Sequence, residues 1–230
     1  MNTRRSIWVT GASSGLGVAL VERLLEQGHR VAASGRESQQ LDQLNQHFGK
    51  QLLRLPGALH KAEQAQAAGQ RLQEAWGTLD TLIINAGTCD YLDASLGVDR
   101  LFDTIVTSNL QASEHCLGAA LGLLKAGNRP QVMAVLSRHA AQQLYNPNQP
   151  TTACNSLHHW LREQRPALSV LKIDLTVVAP QPLKSPLPLA MPEDWDPQRT
   201  AQELVARLDV RERELVLEVL NTDSLWPLPN

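Results

Sequence analysis

Residues 151–160 read TTACNSLHHW: two threonine hydroxyls, a thiol, a carboxamide, a serine hydroxyl and two imidazoles in ten positions, with no lysine and no tyrosine. Proton transfer or nucleophilic attack by such groups needs a neighbour that shifts their pKa, a cation for a thiol or phenol, a base for a hydroxyl. The sequence identifies no such partner for Cys154, which reads as an inert thiol. His158 and His159 are consecutive, and successive residues point about 100° apart on a helix, so the two cannot serve one site or one metal. They read as packing or interface residues.

A second stretch carries a different chemistry. VTGASSGLG, residues 9–17, sets Gly11, Gly15 and Gly17 between an apolar strand pattern and a helical one. That context marks a loop whose missing β-carbons let the backbone approach a pyrophosphate, while the helix N-terminus offers N–H groups and a favourable dipole. Ser13 and Ser14 can add hydroxyl donors. The stretch therefore predicts dinucleotide binding, and the question becomes what residues 151–160 could do beside a bound cofactor.

The elements that must hold both stretches follow from the periodicity. Apolar runs at Ile7–Thr10, Val31–Ser34, Leu52–Leu55, Leu82–Asn85, Val132–Ser137, Val170–Val178 and Leu215–Leu220 suit strands buried on both faces. Helical patterns fall between most of them: the segment after the glycine loop, with Val18, Val21, Leu24 and Leu25 on one face and Gly28 placed to cap it, then Ser38–Phe48, Lys61–Trp76, Val98–Lys125 with a break near Ser108 left open, Thr151–Gln164 and Pro197–Leu208. Alternation of this kind predicts a doubly wound α/β domain with a parallel sheet and helices on both faces. A chain of 230 residues, 43% hydrophobic, suffices for one such domain. Residues 180–197 depart from the alternation and are proline-rich, predicting an extended, shortened substrate loop.

Composition narrows the function. A net charge of -2 and a pI near 6.4 give no electrostatic footprint for nucleic acid or an anionic membrane. No apolar run reaches the roughly 20 residues that span a bilayer, and Met1–Arg5 lead into a strand pattern without a signal-peptide apolar segment, so a cytoplasmic location is expected. Cys89, Cys116 and Cys154 are odd in number and lack metal-ligand spacing, which predicts reduced thiols and no metal.

Thr10-Gly11-x-x-x-Gly15-x-Gly17 together with INAG at 84–87 resembles the short-chain dehydrogenase/reductase family, over about Ile7–Val219. The resemblance implies a seven-stranded parallel Rossmann sheet in a single domain. It places Gly11, Ser13, Ser14, Gly15, Leu16 and Gly17 at the cofactor, and Asn85, Ala86 and Gly87 along the adenosine side of its cleft. At the end of the second strand, SGRES carries no acid at Ser34 or Gly35 for a ribose 2′-hydroxyl, whereas Arg36 could pair with a 2′-phosphate. NADP(H) is thus favoured over NAD(H). LPGAL at 55–59 lacks the aspartate that the family uses beside the adenine, and Pro180 and Ser185 only partly match its Pro-Gly-x-x-x-Thr segment near the nicotinamide.

The family's reaction is hydride transfer at a carbonyl carbon, with a tyrosine exchanging the proton, a lysine lowering that tyrosine's pKa, a serine orienting the substrate and an asparagine completing a relay. By the resemblance, Ser137 and Asn109 match the serine and the asparagine, while Thr151 and Asn155 stand at the tyrosine and lysine positions. An alkyl hydroxyl is a far poorer acid than a phenol, and a carboxamide carries no charge. General acid–base action is worth roughly 10²- to 10⁴-fold in rate, about 3 to 5 kcal/mol, so most of that contribution is expected to be lost. Two substitute acids stand nearby in sequence: His139, two residues past Ser137, and Tyr145, six before Thr151. Two functions follow as expectations, beside a third reading, a structural subunit that binds no nucleotide, which rests on LPGAL and the missing lysine. One is a cofactor-sensing or partner-binding protein that keeps NADP(H); the other is an active carbonyl oxidoreductase using His139 or Tyr145 on a small-molecule carbonyl or alcohol. HCLGAALGLL and SLHHWLRE are apolar enough to join the helical bundle through which the family often forms a homodimer or homotetramer.

Overall fold

The computed structural model describes residues 4–85, 98–136, 157–180 and 197–217. Strands β1 (Ser6–Val9), β2 (Arg30–Gly35), β3 (Leu52–Pro56), β4 (Thr81–Asn85), β5 (Gln131–Val135), β6 (Asp174–Pro180) and β7 (Glu214–Leu217) form one sheet in the order β3-β2-β1-β4-β5-β6-β7. Every pairing is parallel. The strand order reverses between β1 and β4, and a ligand crevice is expected outside the carboxyl ends of the strands at that switch point.

Helices α1 (Gly15–Glu26), α2 (Gln39–Phe48), α3 (Ala62–Trp76), α4 (Val98–Lys125), α5 (Leu157–Val170) and α6 (Pro197–Arg207) cover the sheet. One apolar layer joins Leu20, Leu24 and Leu25 of α1 to Leu204 and Val205 of α6, across Ile7, Val9 and Ile83. The other joins α3, α4 and α5 through Leu72, Leu117, Leu124 and Leu161, across Trp8, Leu82 and Val132. With both faces covered, β1, β4 and β5 tolerate almost nothing but apolar side chains, which is why their sequences read as continuous runs. At the opposite, amino end, Asp80 accepts from the Ser6 N–H at 2.8 Å, the Ser6 hydroxyl at 3.0 Å and the Asn128 N–H at 2.7 Å, tying the entries of β1, β4 and β5 together.

Gly28 closes α1 as its position predicts: φ is 82°, its N–H bonds to the Leu25 carbonyl at 2.9 Å, and the His29 N–H reaches the Leu24 carbonyl at 3.1 Å. One point left open is decided and one expectation needs correction. Helix α4 runs unbroken past Ser108, and the Ser113 hydroxyl bonds to the Asn109 carbonyl at 2.8 Å within it. The strand expected from Val170 begins instead at Asp174, because α5 continues through Pro166 to Val170. Pro166 can donate nothing to the Arg162 carbonyl, but burial of Leu161 and Leu168 against the sheet holds the helix together. Val170 is 82% exposed, so its apolar character reported no buried strand.

Among the described residues no helix is long and apolar enough to cross a membrane, and no group of three or more His, Cys, Asp or Glu side chains could hold a metal. The proline-rich residues 181–196 lie outside the described residues.

Candidate cofactor and active site

The glycine loop sits at the switch point and is braced on both sides. Toward β4, the Thr10 N–H bonds to the Ile83 carbonyl at 3.0 Å and the Asn85 N–H to the Thr10 hydroxyl at 3.1 Å. The Asn85 carboxamide also donates to the Gly11 carbonyl at 3.1 Å. Toward β2, the Ala12 N–H bonds to the Ser34 carbonyl at 2.9 Å. The indole N–H of Trp8 donates to the Ser34 hydroxyl at 2.8 Å, both side chains being fully buried.

Contacts this close explain the residue types. A β-carbon on Gly17 would lie 2.0 Å from the Gly11 carbonyl oxygen and 2.8 Å from the Ala12 Cα, and one on Gly11 would lie 2.4 Å from the Asn85 carbonyl oxygen. Gly15 differs. Its φ of 52° favours glycine, yet nothing lies within 4 Å of where its β-carbon would go. Gly15 opens α1, whose N-cap residue Ser14 makes no side-chain cap bond and whose first turn carries no acidic residue. The first N–H groups of a helix have no partners within it, and here the N-cap side chain takes none of them, an arrangement suited to an anion. The donors present fit the pyrophosphate of a dinucleotide.

Around this cradle the structure gathers Gly11, Ser13, Ser14, Gly15, Leu16, Gly17 and Asn85. Arg36 follows β2 directly, exposed, ahead of Ser38, whose hydroxyl caps α2 by accepting from the Leu41 N–H at 3.5 Å. Gly35 presses against the loop: a β-carbon there would lie 2.9 Å from the Ser13 nitrogen. Beyond β3, Gln64 of α3 accepts from the Ala58 N–H, and the His115 ring nitrogen of α4 lies 3.4 Å from the Leu59 carbonyl. The segment 55–59 is thus held by neighbouring helices and brings no carboxylate to the cleft. Burial, then the charges of Lys61 and His115, holds the nearby His60 imidazole below its usual range.

On the chemical side, Asn109 is half-buried on α4 and Pro180 is the last residue of β6. Ala86, Gly87, Ser137, His139, Tyr145, Thr151, Asn155 and Ser185 lie outside the described residues, as do Cys89 and Cys154. Cys116 is buried, and burial pushes its thiol pKa up, which agrees with an inert, reduced side chain. His159 is exposed and pairs with Glu163 at 3.2 Å, one helical turn along α5. Of the run His115–Leu124, Cys116, Leu117, Ala120, Leu123 and Leu124 cover the sheet, while Gly118 and Gly122 face outward.

Sequence reasoning missed Trp8 and Ser34. The only available signal was a serine inside an otherwise apolar strand, in VAASG.

The short chain dehydrogenase family profile matches residues 5–194, most of the chain. The chain belongs to this family. A cis-2,3-dihydrobiphenyl-2,3-diol dehydrogenase from Paraburkholderia xenovorans is 32% identical over 137 residues, 57% of this chain and 49% of that protein. A 3-phenylpropionate-dihydrodiol/cinnamic acid-dihydrodiol dehydrogenase from Escherichia coli is 34% identical over 126 residues, 50% of this chain and 46% of that one. The matched region spans about half the length of these curated relatives. Among solved structures, a short-chain dehydrogenase from Streptomyces avermitilis superposes with a TM-score of 0.75 at 18% identity, covering 94% of this chain and 89% of the other. An alcohol dehydrogenase from Thermococcus sibiricus complexed with 5-hydroxy-NADP does so with a TM-score of 0.72 at 20% identity, covering 99% and 100%. A metagenomic short-chain oxidoreductase in complex with NADP gives 0.70 at 21%, covering 93% and 96%. At these identities the structures bear on the fold, which this short-chain dehydrogenase family member shares.

Proposed function

We propose that this protein binds NADP(H) and that its proton-transfer machinery is weakened or lost, leaving a cofactor-sensing or partner-binding role. The observation that carries the binding half is the cradle: uncapped N–H groups at the start of α1, open space over Gly15, and a loop fixed to β2 and β4. Preference for a 2′-phosphate is supported by Arg36 and by Gly35. An acid at position 35, where it would accept from a ribose hydroxyl, would have to begin with a β-carbon 2.9 Å from the Ser13 nitrogen. The Arg36 guanidinium would then supply the charge that a phosphate needs.

The catalytic half rests on residue types. A bound nicotinamide supplies or accepts a hydride; the chain must orient the substrate and move the proton. Ser137 and Asn109 retain orienting and relay groups, but the Thr151 hydroxyl stays protonated across the working pH range, and Asn155 offers no charge to lower its pKa. A second reading draws on the same Ser137 and Asn109, and on curated relatives that are named dehydrogenases: an active NADPH-dependent oxidoreductase in which His139 or Tyr145 is the acid. In either reading, a homodimer or homotetramer through α4 and α5 is part of the proposal, with Gly118 and Gly122 on the outward face.

The deciding experiment titrates the full chain with NADPH and NADH by cofactor fluorescence, then offers the bound protein aldehydes, ketones and, with the oxidised cofactors, cis-dihydrodiols. Tight NADPH binding with no turnover supports the first reading. Turnover abolished in His139→Ala or Tyr145→Phe establishes the second. Binding of neither dinucleotide removes both.

A further inference from the structure

Trp8 is the largest side chain buried in the sheet and does more than fill space. It lies on β1, two residues ahead of the loop, and its ring packs in the α3–α4–α5 layer with Leu55 and Leu59. Its indole N–H donates to the Ser34 hydroxyl at 2.8 Å, both side chains being fully buried. Burying an indole N–H and a hydroxyl costs free energy unless they satisfy each other, so the pair is mutually dependent.

Ser34 is a junction. Its hydroxyl takes the Trp8 bond, its carbonyl takes the Ala12 N–H of the phosphate loop at 2.9 Å, and its backbone runs directly into Gly35 and Arg36. On the other face of the strand, Gly35 is packed so closely on Ser13 that a β-carbon would not fit without movement. The end of β2 is therefore gripped from both sides, by Trp8 beneath and by the loop above.

We infer that Trp8 is a positioning residue for cofactor recognition: through Ser34 it holds the end of β2 against the phosphate loop, and thereby sets where Gly35 and Arg36 meet the adenosine ribose. This rests on the NADP(H) reading above. Trp8 touches no cofactor. It acts by fixing the distance between the anchor for the pyrophosphate and the guanidinium for the 2′-phosphate, two contacts that must be made at once by one rigid ligand. It also keeps position 35 closed to an acidic side chain, which makes the choice between the two dinucleotides depend on packing two residues removed from the ligand.

The test compares Trp8→Phe, Ser34→Ala and the double variant with the unaltered chain, measuring the Kd of NADPH and of NADH together with Tm. Trp8→Phe is expected to weaken NADPH about tenfold while NADH changes far less, a loss of about 1.4 kcal/mol in discrimination. Ser34→Ala should do the same, and the double variant no more than either alone, because all three break one bond. A merely structural role would lower Tm and leave the NADPH-to-NADH ratio untouched. That outcome, or additive losses in the double variant, overturns the proposal. As a second arm, Gly35→Asp should fail to improve NADH binding in the native background and should improve it when combined with Trp8→Phe. An unaltered chain that binds neither dinucleotide, or both equally, strikes the cofactor reading itself and is recognised before any variant is made.

Discussion

Gly15 and Gly17 are two residues apart in one loop, yet the structure gives them different reasons to be glycine, and substitution separates the reasons. At Gly15 the constraint is the backbone: φ is 52°, with open space on the side where a β-carbon would point. Alanine there costs about 1–2 kcal/mol for the left-handed conformation. For a chain of this size, each kcal/mol lowers Tm by about 2–4 °C, so a fall of about 2–8 °C is expected. Asparagine, which tolerates that conformation better, should cost less than alanine. At Gly17 the constraint is contact: the new β-carbon would lie 2.0 Å from a carbonyl oxygen and 2.8 Å from a Cα, both backbone atoms that cannot rotate away. Overpacking of this kind costs about 1–3 kcal/mol or more, and asparagine, being larger, should be worse than alanine. The order of the two substitutions is therefore expected to invert between the positions, with Asn milder than Ala at 15 and harsher at 17. Thermal unfolding of the four variants, checked by guanidinium midpoints, reads this out directly. The same order at both positions, or a Gly17→Ala variant as stable as the unaltered chain, would refute the reasoning.

Two further outcomes follow from the opposite end of the sheet. His29 is buried and its Nδ1 accepts the Arg5 N–H at 3.2 Å, a role open only to the neutral ring. Burial, then the Arg5 charge, holds its pKa below 6.5, so between that lowered value and 6.5 the unfolded chain binds the extra proton. Stability contributed by His29 is complete above pH 6.5 and is lost as pH falls below it; unfolding midpoints from pH 8 to 5 should show this fall, and His29→Gln should flatten it. Helix α5 ends with Lys172 at φ 57°, its N–H on the Ser169 carbonyl and the Ile173 N–H on the Leu168 carbonyl, both at 2.9 Å, in the same position that Gly28 fills after α1. Lys172→Gly is expected to stabilise by up to about 1 kcal/mol and raise Tm by about 2–4 °C; an unchanged or lower Tm would show that the strain is compensated by contacts of the lysine.

What the sequence disclosed about this fold is what local pattern encodes. Apolar runs buried on both faces gave the strands, and the glycine spacing gave the cradle, because the tight approach of Gly17 to Gly11 is a property of the loop alone. Errors came where tertiary packing overrode a local signal. The helix expected to end at Gln164 runs on through Pro166, where burial of Leu161 and Leu168 offsets the missing bond. The Asn85–Gly11 and Trp8–Ser34 bonds join residues 74 and 26 positions apart and leave no periodic trace. At the candidate site, Asn85 was legible from its motif, whereas the closure of position 35 depends on where Ser13 falls in three dimensions.

The pairing of α1 with α6 has a consequence for biogenesis. Leu20 and Leu24 are covered by Leu204 and Val205, and the Gln198 carboxamide donates to Glu22 at 3.2 Å, so the first described helix is sealed by the last described one. At about 5–20 residues per second, some ten to thirty seconds of translation separate the two. During that interval the apolar side of the β1–α1 unit lacks the cover that α6 gives it in the folded protein. Premature termination anywhere before residue 197 would yield a product that retains the glycine loop but exposes this face, and so aggregates rather than binds.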